Sequence, residues 1–304
     1  MPEAFGTFQF VADRGDARSR LDRVLVRRLS GLSRFSRTRA QEWIACGSVT
    51  VDGIRATRAA MRVAEGAAVG VTLPDSAHRK SRPQSEPVPL TVLYEDRALM
   101  VVNKPAGMTV HPSYKRTSGT LLNAVLWHLR WQDQPRPGIV TRLDKDTSGL
   151  VLIALTGEVH AALQHDAPQL RKEYLAIVRG WPRPPRGRIR HPLARDPFDR
   201  RRVVVAPGGA ASETRYELVD RRESASGRES LVRCELLTGR THQIRVHLAA
   251  QGWPVVGDAT YGCSDERIPR QALHAWRLAF THPVTKQPID LEAPIPEDML
   301  ALVR

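Results

Sequence analysis

One acidic residue, Asp144, stands among residue types that could carry chemistry. Within residues 138–153 it lies in a turn-forming run between apolar segments, with Arg142 before it and Lys145 after it. A strand-forming run, 150–155, follows directly. Such an arrangement aims a carboxylate from a rigid sheet edge into a basic cleft, where a nucleophile or base for an anionic substrate belongs. An Asp beside Thr and Ser is also ordinary turn chemistry, so the spacing alone leaves both interpretations open.

Three further segments carry residues that suit the same chemistry. A Gly/Pro loop at 103–112 follows a strand-like run, and Tyr174 lies near the start of another. The third segment places polar side chains around the first turns of a predicted helix: Arg240, Gln243 and Arg245. Taken singly, the tyrosine fits a half-buried core position, the arginines fit surface charge, and His242 fits a structural role.

The charge balance indicates an acidic partner. The chain has 304 residues, a formal charge of +14 and a sequence pI of about 10.6. Forty of its 46 basic residues are arginine. The planar, always charged guanidinium group suits phosphate, which favours nucleic acid as the partner, although a coding bias toward arginine fits as well.

The remaining composition narrows the class of protein. Three cysteines, Cys46, Cys234 and Cys263, are far apart and lack metal-ligand spacing, so we expect no metal site and no disulfide framework. Residues 1–10 lack the basic start and apolar centre of a signal peptide. The apolar runs are too short to span a bilayer. We therefore expect a soluble, cytoplasmic protein without a membrane partner.

Residues 1–75 predict a small basic module. Ser36 is the predicted N-cap of a second helix, and Asp52-Gly53 is a strong hairpin signal. The first helix is predicted from apolar residues at helical spacing: Leu21, Val24, Leu25 and Leu29. Three arginines gather near the start of the second helix, where helix N-termini and guanidinium groups attract phosphate: Arg34, Arg37 and Arg39. A solvated charged face is the competing interpretation.

Residues 76–88 predict a linker and residues 89–304 a larger second domain. The linker segment is rich in Ser, Pro and charge and lacks periodicity. Beyond it, strand-like runs outnumber helical ones and do not alternate strictly with them. We therefore expect an α+β fold with a largely antiparallel, mixed central sheet. Thr120 is the predicted start of one helix, and residues 241–251 predict another.

Two motifs give the second domain a specific resemblance. The runs Arg142-Leu-Asp-Lys-Asp-Thr-Ser-Gly149 and Gly239-Arg-Thr-His-Gln-Ile-Arg245 are similar to those of the RluA/RluD family of RNA pseudouridine synthases. The resemblance covers essentially all of residues 89–304. Residues 18–75 resemble the alpha-L RNA-binding motif, an S4-like domain named for a small-subunit ribosomal protein. The two modules together look like the RluD type.

The resemblance implies an isomerase that makes pseudouridine from uridine in RNA. Uracil is detached from its ribose, turned, and rejoined through C5 rather than N1. No cofactor and no metal are implied. The implied substrate is large-subunit (23S) ribosomal RNA, and we expect a monomer. Transfer RNA as the substrate, and a non-catalytic RNA-binding role in ribosome assembly, stay open as alternatives.

Residue roles follow from motif position. The resemblance implies Asp144 as the essential carboxylate in a dry pocket, where it attacks the substrate or removes a proton from it. Arg245 is implied as its buried cationic partner and Tyr174 as the ring that stacks on a flipped uracil. Where the family has histidine before the Arg-Leu-Asp triplet, this chain has Thr141, which cannot stack or carry a proton as imidazole does. Three more side chains are expected to contact RNA: Arg142, Arg240 and Gln243.

Overall fold

The computed structural model describes residues 7–29, 36–72, 83–112, 117–132, 135–166, 169–199, 201–224 and 227–303. Contacts divide the chain into two compact units, Met1–Arg82 and Pro83–Arg304.

Part of the predicted linker lies against the second unit. Of residues 76–88, those from 83 onward are described. Asn123 Nδ2 donates to Gln84 O at 2.6 Å, and the Gly119 N–H group donates to Glu86 Oε2 at 2.7 Å. Residues 83–88 are therefore held by the second unit rather than free of it.

The first unit consists of a small antiparallel sheet and two helices. In chain order its elements are β1 (Thr7–Val11), α1 (Leu21–Arg28), α2 (Arg37–Ala45), β2 (Val49–Val51), β3 (Ile54–Arg55) and β4 (Ala68–Thr72). The strand order is β1-β4-β2-β3. The predicted apolar stripe of α1 is buried, and Ser36 Oγ accepts the Arg39 N–H group at 3.3 Å as N-cap of α2. Asp52 and Gly53 have φ of +51° and +78°, as the predicted hairpin turn requires.

The second unit is built on one large sheet. Its strands are β5 (Thr91–Glu95), β6 (Leu99–Lys104), β7 (Gly138–Ile139), β8 (Ser148–Ala154), β9 (Arg171–Arg179), β10 (Arg186–Ile189), β11 (Leu193–Arg195), β12 (Val203–Val205), β13 (Thr214–Ser224), β14 (Gly227–Leu236), β15 (Leu273–Thr281) and β16 (Pro288–Glu292). Its helices are α3 (Leu121–His128), α4 (Gly157–His165), α5 (Gln243–Ala250) and α6 (Glu297–Val303).

The order of the strands confirms the predicted fold class. The sheet runs β10-β13-β14-β9-β15-β8-β6-β5, with β16 beside β15 and β7 beside β8, while β11 and β12 form a separate hairpin. Among the described pairs only β8 and β15 are parallel. The fold is α+β with a mixed, largely antiparallel sheet. Within the described ranges, no helix has the length and apolar character needed to cross a bilayer.

Strand β8 is buried along its whole length because helices cover both of its faces. Val151 and Ile153 lie in one apolar cluster with α3, and Leu150 and Leu152 lie in another with α4. Since the loop that carries Asp144 leads directly into β8, this burial fixes the position of the loop.

A glycine allows β8 to lie against β15. Gly149 has φ of +113°, and a Cβ atom there would lie 2.2 Å from Ala275 O. Any side chain would push the two strands apart, so glycine is required at this place in the 142–149 motif. Ala275 also pairs with Tyr174 on β9. The β15 backbone therefore sets the spacing between Tyr174 and the strand that follows Asp144.

Candidate active site

The loop that carries Asp144 spans residues 140–147, between β7 and β8. The Leu152 N–H group donates to Thr141 Oγ1 at 2.9 Å, and the Thr147 N–H group donates to Asp144 O at 3.2 Å. Thr147 is buried, and its Oγ1 accepts from Gln271 Nε2 at 3.1 Å. Asp144 is thus presented on a short turn that is held at both ends.

A buried lysine connects this loop to the neighbouring segment 103–112. Lys104 is fully buried, and its ammonium group donates to three carbonyl oxygens, those of Pro105 at 2.8 Å, Met108 at 2.9 Å and Lys145 at 3.0 Å. Burial lowers the pKa of Lys104 to about 8, against the attraction of nearby carboxylates. Three acceptors match the three N–H donors of an ammonium group. We infer that Lys104 holds the two loops together rather than meeting a substrate.

Asp144 faces a guanidinium group that is held by a second carboxylate. Arg245, on α5, donates from Nη1 to Asp144 Oδ2 at 2.9 Å. Its Nε and Nη2 donate to Asp258 at 2.6 and 2.8 Å, and Asp258 also accepts the backbone N–H groups of Thr260 and Tyr261. Arg245 is 6% exposed and Asp258 is 1% exposed. This buried two-point pair fixes the orientation of the guanidinium group toward Asp144.

The charge of Arg245 is secured by the same contacts. Burial opposes the charge, but the hydrogen bonds and charges of Asp258 and Asp144 outweigh burial and raise the pKa of Arg245 above its usual range. The guanidinium carbon also lies 5.0 Å from the centre of the Tyr261 ring, which adds a cation–π contact. The expected ion pair between Asp144 and Arg245 is present.

Tyr174 lines the same cleft, on the wall that the sheet forms. It is on β9, between Cys234 on β14 and Ala275 on β15, and it is buried. Burial, together with the negative charge of Asp144, raises the pKa of Tyr174 above its usual range. The side chain therefore offers a neutral phenol with an aromatic face, and not a phenolate base.

One cleft collects the residues that the sequence predicted in the second domain. Asp144 is the one carboxylate among the described residues that line it. Its side chain is 24% exposed, so the cleft is open to solvent in the free protein. All six predicted side chains line the cleft: Arg142, Asp144, Tyr174, Arg240, Gln243 and Arg245. The described residues contain no cluster of three or more potential metal ligands.

Comparison with known families agrees with this geometry. Residues 98–250 match the family model described as RNA pseudouridylate synthase. The chain belongs to this family. Residues 19–69 match the S4 domain model. Both resemblances inferred from the sequence motifs are confirmed.

Relatives of this synthase share most of its length. A protein of Nitrosomonas europaea named ribosomal large subunit pseudouridine synthase D is 40% identical over 297 residues, covering 94% of this chain and 83% of the relative. A protein of the same name from Zymomonas mobilis is 37% identical over 306 residues, covering 94% and 93%. The solved structure of human RNA pseudouridylate synthase domain containing 1 has a TM-score of 0.57 and 28% identity, over 70% of this chain and 86% of that one. The protein is an isomerase that converts uridine to pseudouridine in RNA.

Gln243 has a different part in this synthase from the predicted RNA contact. It is 2% exposed. Its Oε1 accepts from Thr238 Oγ1 at 2.8 Å and from the Arg240 N–H group at 3.0 Å, and its Nε2 donates to Glu213 O at 3.0 Å and Thr214 Oγ1 at 2.9 Å. These four bonds use the hydrogen-bonding capacity of the amide. Gln243 therefore holds the loop before α5 in place, and the prediction of an RNA contact is corrected.

The arginines predicted to bind RNA differ in how many contacts they make within the protein. Arg142 is exposed at the cleft, and Arg240 is exposed with its Nε bonded to Ala211 O at 3.2 Å. Arg34 lies outside the described residues. Arg37 Nε donates to Asp22 Oδ2 at 3.0 Å. The Arg39 guanidinium carbon lies 5.7 Å from the centre of the Trp43 ring.

The partner of Arg37 is a buried carboxylate in the first unit. Asp22 is fully buried and also accepts from Arg20 and Gln41. The hydrogen bond from Arg20, together with those from Gln41 and Arg37, outweighs burial and lowers the pKa of Asp22 below its usual range. Arg37 therefore has a structural task, although its side chain is 48% exposed.

The sequence alone did not reveal Asp258 or Tyr261. Asp258 follows Gly257, whose φ is +75° and whose Cβ would lie 2.1 Å from Arg270 O. A Gly-Asp pair ordinarily indicates only a turn. The charged partner of Asp258 lies 13 residues earlier in the chain, and a single sequence carries no sign of their contact.

Proposed function

We propose that Asp144 carries out the isomerisation, acting on the ribose of a uridine that is turned out of the RNA into the cleft. The chain of contacts from Asp144 to Arg245 to Asp258 supports this most strongly. In this chain of contacts the accessible carboxylate of Asp144 lies against the guanidinium group of Arg245, whose position is fixed and whose charge is permanent. A base that is stacked in a helix cannot reach such a group, so the nucleotide must be flipped.

The neighbouring residues receive roles from their geometry. Arg245 places a positive charge against Asp144 through Nη1, because its other donors are bound to Asp258. The ring of Tyr174 stacks on the flipped uracil, a contact worth about 1–3 kcal/mol per base. Arg142 and Arg240, exposed at the cleft, bind the phosphates beside the flipped nucleotide.

The proposed substrate is large-subunit ribosomal RNA. The two relatives from Nitrosomonas europaea and Zymomonas mobilis carry ribosomal large subunit in their names, and the S4 domain and the charge of +14 suit a long RNA. We propose that residues 1–75 contribute RNA affinity, with Arg37 and Arg39 at the contact, and that residues 89–304 contribute the chemistry. The enzyme works as a cytoplasmic monomer without a cofactor.

Mapping pseudouridines in cells tests the assignment of the substrate. The gene is deleted, and pseudouridines in ribosomal and transfer RNA are compared before and after restoring the natural protein or the Asp144→Asn variant. We expect specific large-subunit positions to lose the modification and to regain it only with the natural protein. A loss confined to transfer RNA would show that transfer RNA is the substrate. Restoration by the Asp144→Asn variant would show that Asp144 is not needed for the chemistry.

A further inference from the structure

His242 lies at the start of α5 and faces the cleft. Its φ is +54°, a left-handed conformation that a histidine rarely adopts, and its side chain is 19% exposed. Nε2 lies 3.9 Å from Asp144 Oδ2. The roles proposed above do not use this ring, although strained backbone at a cleft commonly marks a working position.

We assign the proton of His242 from the contact between its ring and the hydroxyl group of Tyr261. The Val203 N–H group donates to Tyr261 Oη at 2.9 Å. The phenol oxygen serves as an acceptor there, and among the described residues His242 Nδ1, 2.8 Å away, is the one acceptor within reach of the phenol proton. Nδ1 accepts this proton, so a neutral ring carries its own proton on Nε2.

No described residue of the free protein uses that Nε2–H donor. At 3.9 Å the contact with Asp144 is too long for a hydrogen bond, and no other described residue accepts from Nε2 within bonding distance. A lone pair at Nε2 would be repelled by the carboxylate, which independently favours the N–H form. Burial lowers the pKa of His242, against the attraction of Asp144, so the ring is neutral at physiological pH.

We propose that His242 donates its Nε2–H to a carbonyl oxygen of the flipped uracil and stabilises the base while it is detached from the ribose. This inference rests on the proposed function of Asp144. When the N1–C1′ bond breaks, its electron pair stays on uracil and spreads to the O2 and O4 atoms. A fixed donor aimed at that developing charge lowers the barrier without moving a proton.

The same geometry excludes His242 as the base for the last step. The C5–C1′ bond forms, the C5–H bond breaks, and the electron pair of that bond restores the ring double bond. Asp144, the one carboxylate among the described residues that line the cleft, takes the C5 proton, and N1 gains a proton in its place. The one lone pair of His242 is bound to the Tyr261 proton and cannot take part. His242 is therefore a donor throughout the reaction, and its own proton stays on Nε2.

Nitrogen NMR tests the tautomer directly. Spectra of the full-length protein labelled with ¹⁵N-histidine are compared with those of His242→Gln, which identifies the His242 signals by their loss. We expect a neutral ring with the proton on Nε2 at pH 7.5, and a mixture of tautomers in Tyr261→Phe. A proton on Nδ1, or a charged ring, would overturn the proposal.

Kinetics test the donor itself under single-turnover conditions with a uridine-containing RNA fragment. His242→Phe removes the donor and should slow conversion about 100-fold, the usual effect of losing one such group. His242→Gln offers an amide N–H at similar reach and should recover most of that loss. The control His165→Gln changes an exposed side chain on α4 and should leave the rate unchanged. Equal losses in His242→Phe and His242→Gln would show that ring shape matters and the donor does not.

Two further comparisons keep the outcome decisive. If His242→Phe fails to fold, Tyr261→Phe retains the ring and should still slow conversion, because part of the population loses the Nε2–H form. An unchanged rate in Tyr261→Phe would then contradict the proposal.

RNA carrying 2-thiouridine or 4-thiouridine identifies which uracil oxygen accepts the hydrogen bond, since the effect of His242→Phe should shrink where sulfur replaces that oxygen. Activity in Asp144→Asn would instead defeat the proposed function on which this inference rests.

Discussion

Arg245 is a single cation shared by two carboxylates that have different tasks. Asp258 is buried and accepts four hydrogen bonds, whereas Asp144 receives one guanidinium nitrogen and remains 24% exposed. The buried partner fixes the position of the cation, and the exposed partner keeps its access to substrate. On the proposed function, this asymmetry would let one arginine both stabilise the fold and support the chemistry.

A pair of Asp→Asn variants tests the buried half of that arrangement. Asp258→Asn should lower the free energy of unfolding of the second unit by about 3–5 kcal/mol, because a buried charge loses its closest partner. Asp290→Asn breaks a bidentate pair with Arg277 of similar length in which the carboxylate is 48% exposed, and it should change stability by less than about 1 kcal/mol.

Urea unfolding of both variants beside the natural protein gives the comparison. Similar small losses of unfolding free energy in Asp258→Asn and Asp290→Asn would mean that Asp258 is not the structural partner of Arg245. Single-turnover activity should fall in Asp258→Asn alone, since only that change frees the guanidinium group that faces Asp144.

At the scale of elements, the parallel junction between β8 and β15 positions the active-site loop. Ser148 Oγ and His274 Nδ1 lie 2.9 Å apart at this junction, and His274 is fully buried. Burial lowers the pKa of His274 to about 4, from a usual value of 6.5. The unfolded chain therefore binds a proton at this histidine between those pH values, and the folded protein does not.

Stability should consequently depend on pH through His274. Above pH 6.5 the histidine is neutral in both the folded and the unfolded chain, and it does not affect the free energy of unfolding. As pH falls from 6.5 toward 4, the unfolded chain alone takes up the proton, and the free energy of unfolding falls by at most about 3 kcal/mol. Unfolding free energies of the natural protein and His274→Gln, measured between these pH values, should show a steeper decline in the natural protein. The exposed His165, replaced by Gln, serves as the control. Parallel pH profiles for His274→Gln and the natural protein would contradict this account of the junction.

The spacing of apolar residues in the sequence predicted the helices that bury an apolar stripe and the strands made of a continuous apolar run. Helices α1, α2, α3 and α5 and strands β8 and β9 fall within a few residues of the predicted segments. Strand β10, with the sequence RGRI, and helix α4, which begins at Gly157, show no such pattern. Their formation depends on neighbours, since β10 pairs with β13 and α4 covers β8.

The candidate site was predictable where a motif carried it and not elsewhere. Asp144, Tyr174 and Arg245 do line one cleft. Gln243 was misassigned because its four protein partners are separated from it by up to 30 residues in the chain. Such contacts exist only in the folded chain.

At the scale of the whole molecule, RNA affinity and chemistry are assigned to different units. Removing residues 1–82, the first unit, should weaken RNA binding while conversion at saturating enzyme stays nearly unchanged. The dependence of affinity on salt should become shallower, by about one in slope for each phosphate that the truncated protein no longer neutralises. In the full chain, Arg39→Gln should reduce the slope by about one. Filter binding across a salt series provides both values, and an unaltered slope after truncation would show that the first unit does not bind the phosphates.

The most direct measurement compares two carboxylates on one turn. Asp146, two residues after Asp144, has a side chain that is 43% exposed, with its carboxylate 4.0 Å from the ammonium group of Lys145. Pseudouridine formation and RNA affinity are measured in parallel for Asp144→Asn and Asp146→Asn. We expect Asp144→Asn to form no pseudouridine and to bind RNA nearly as well as the natural protein, while Asp146→Asn remains active. Pseudouridine formation by Asp144→Asn at the rate of Asp146→Asn, or joint loss of binding and conversion in Asp144→Asn alone, would contradict a catalytic role for Asp144.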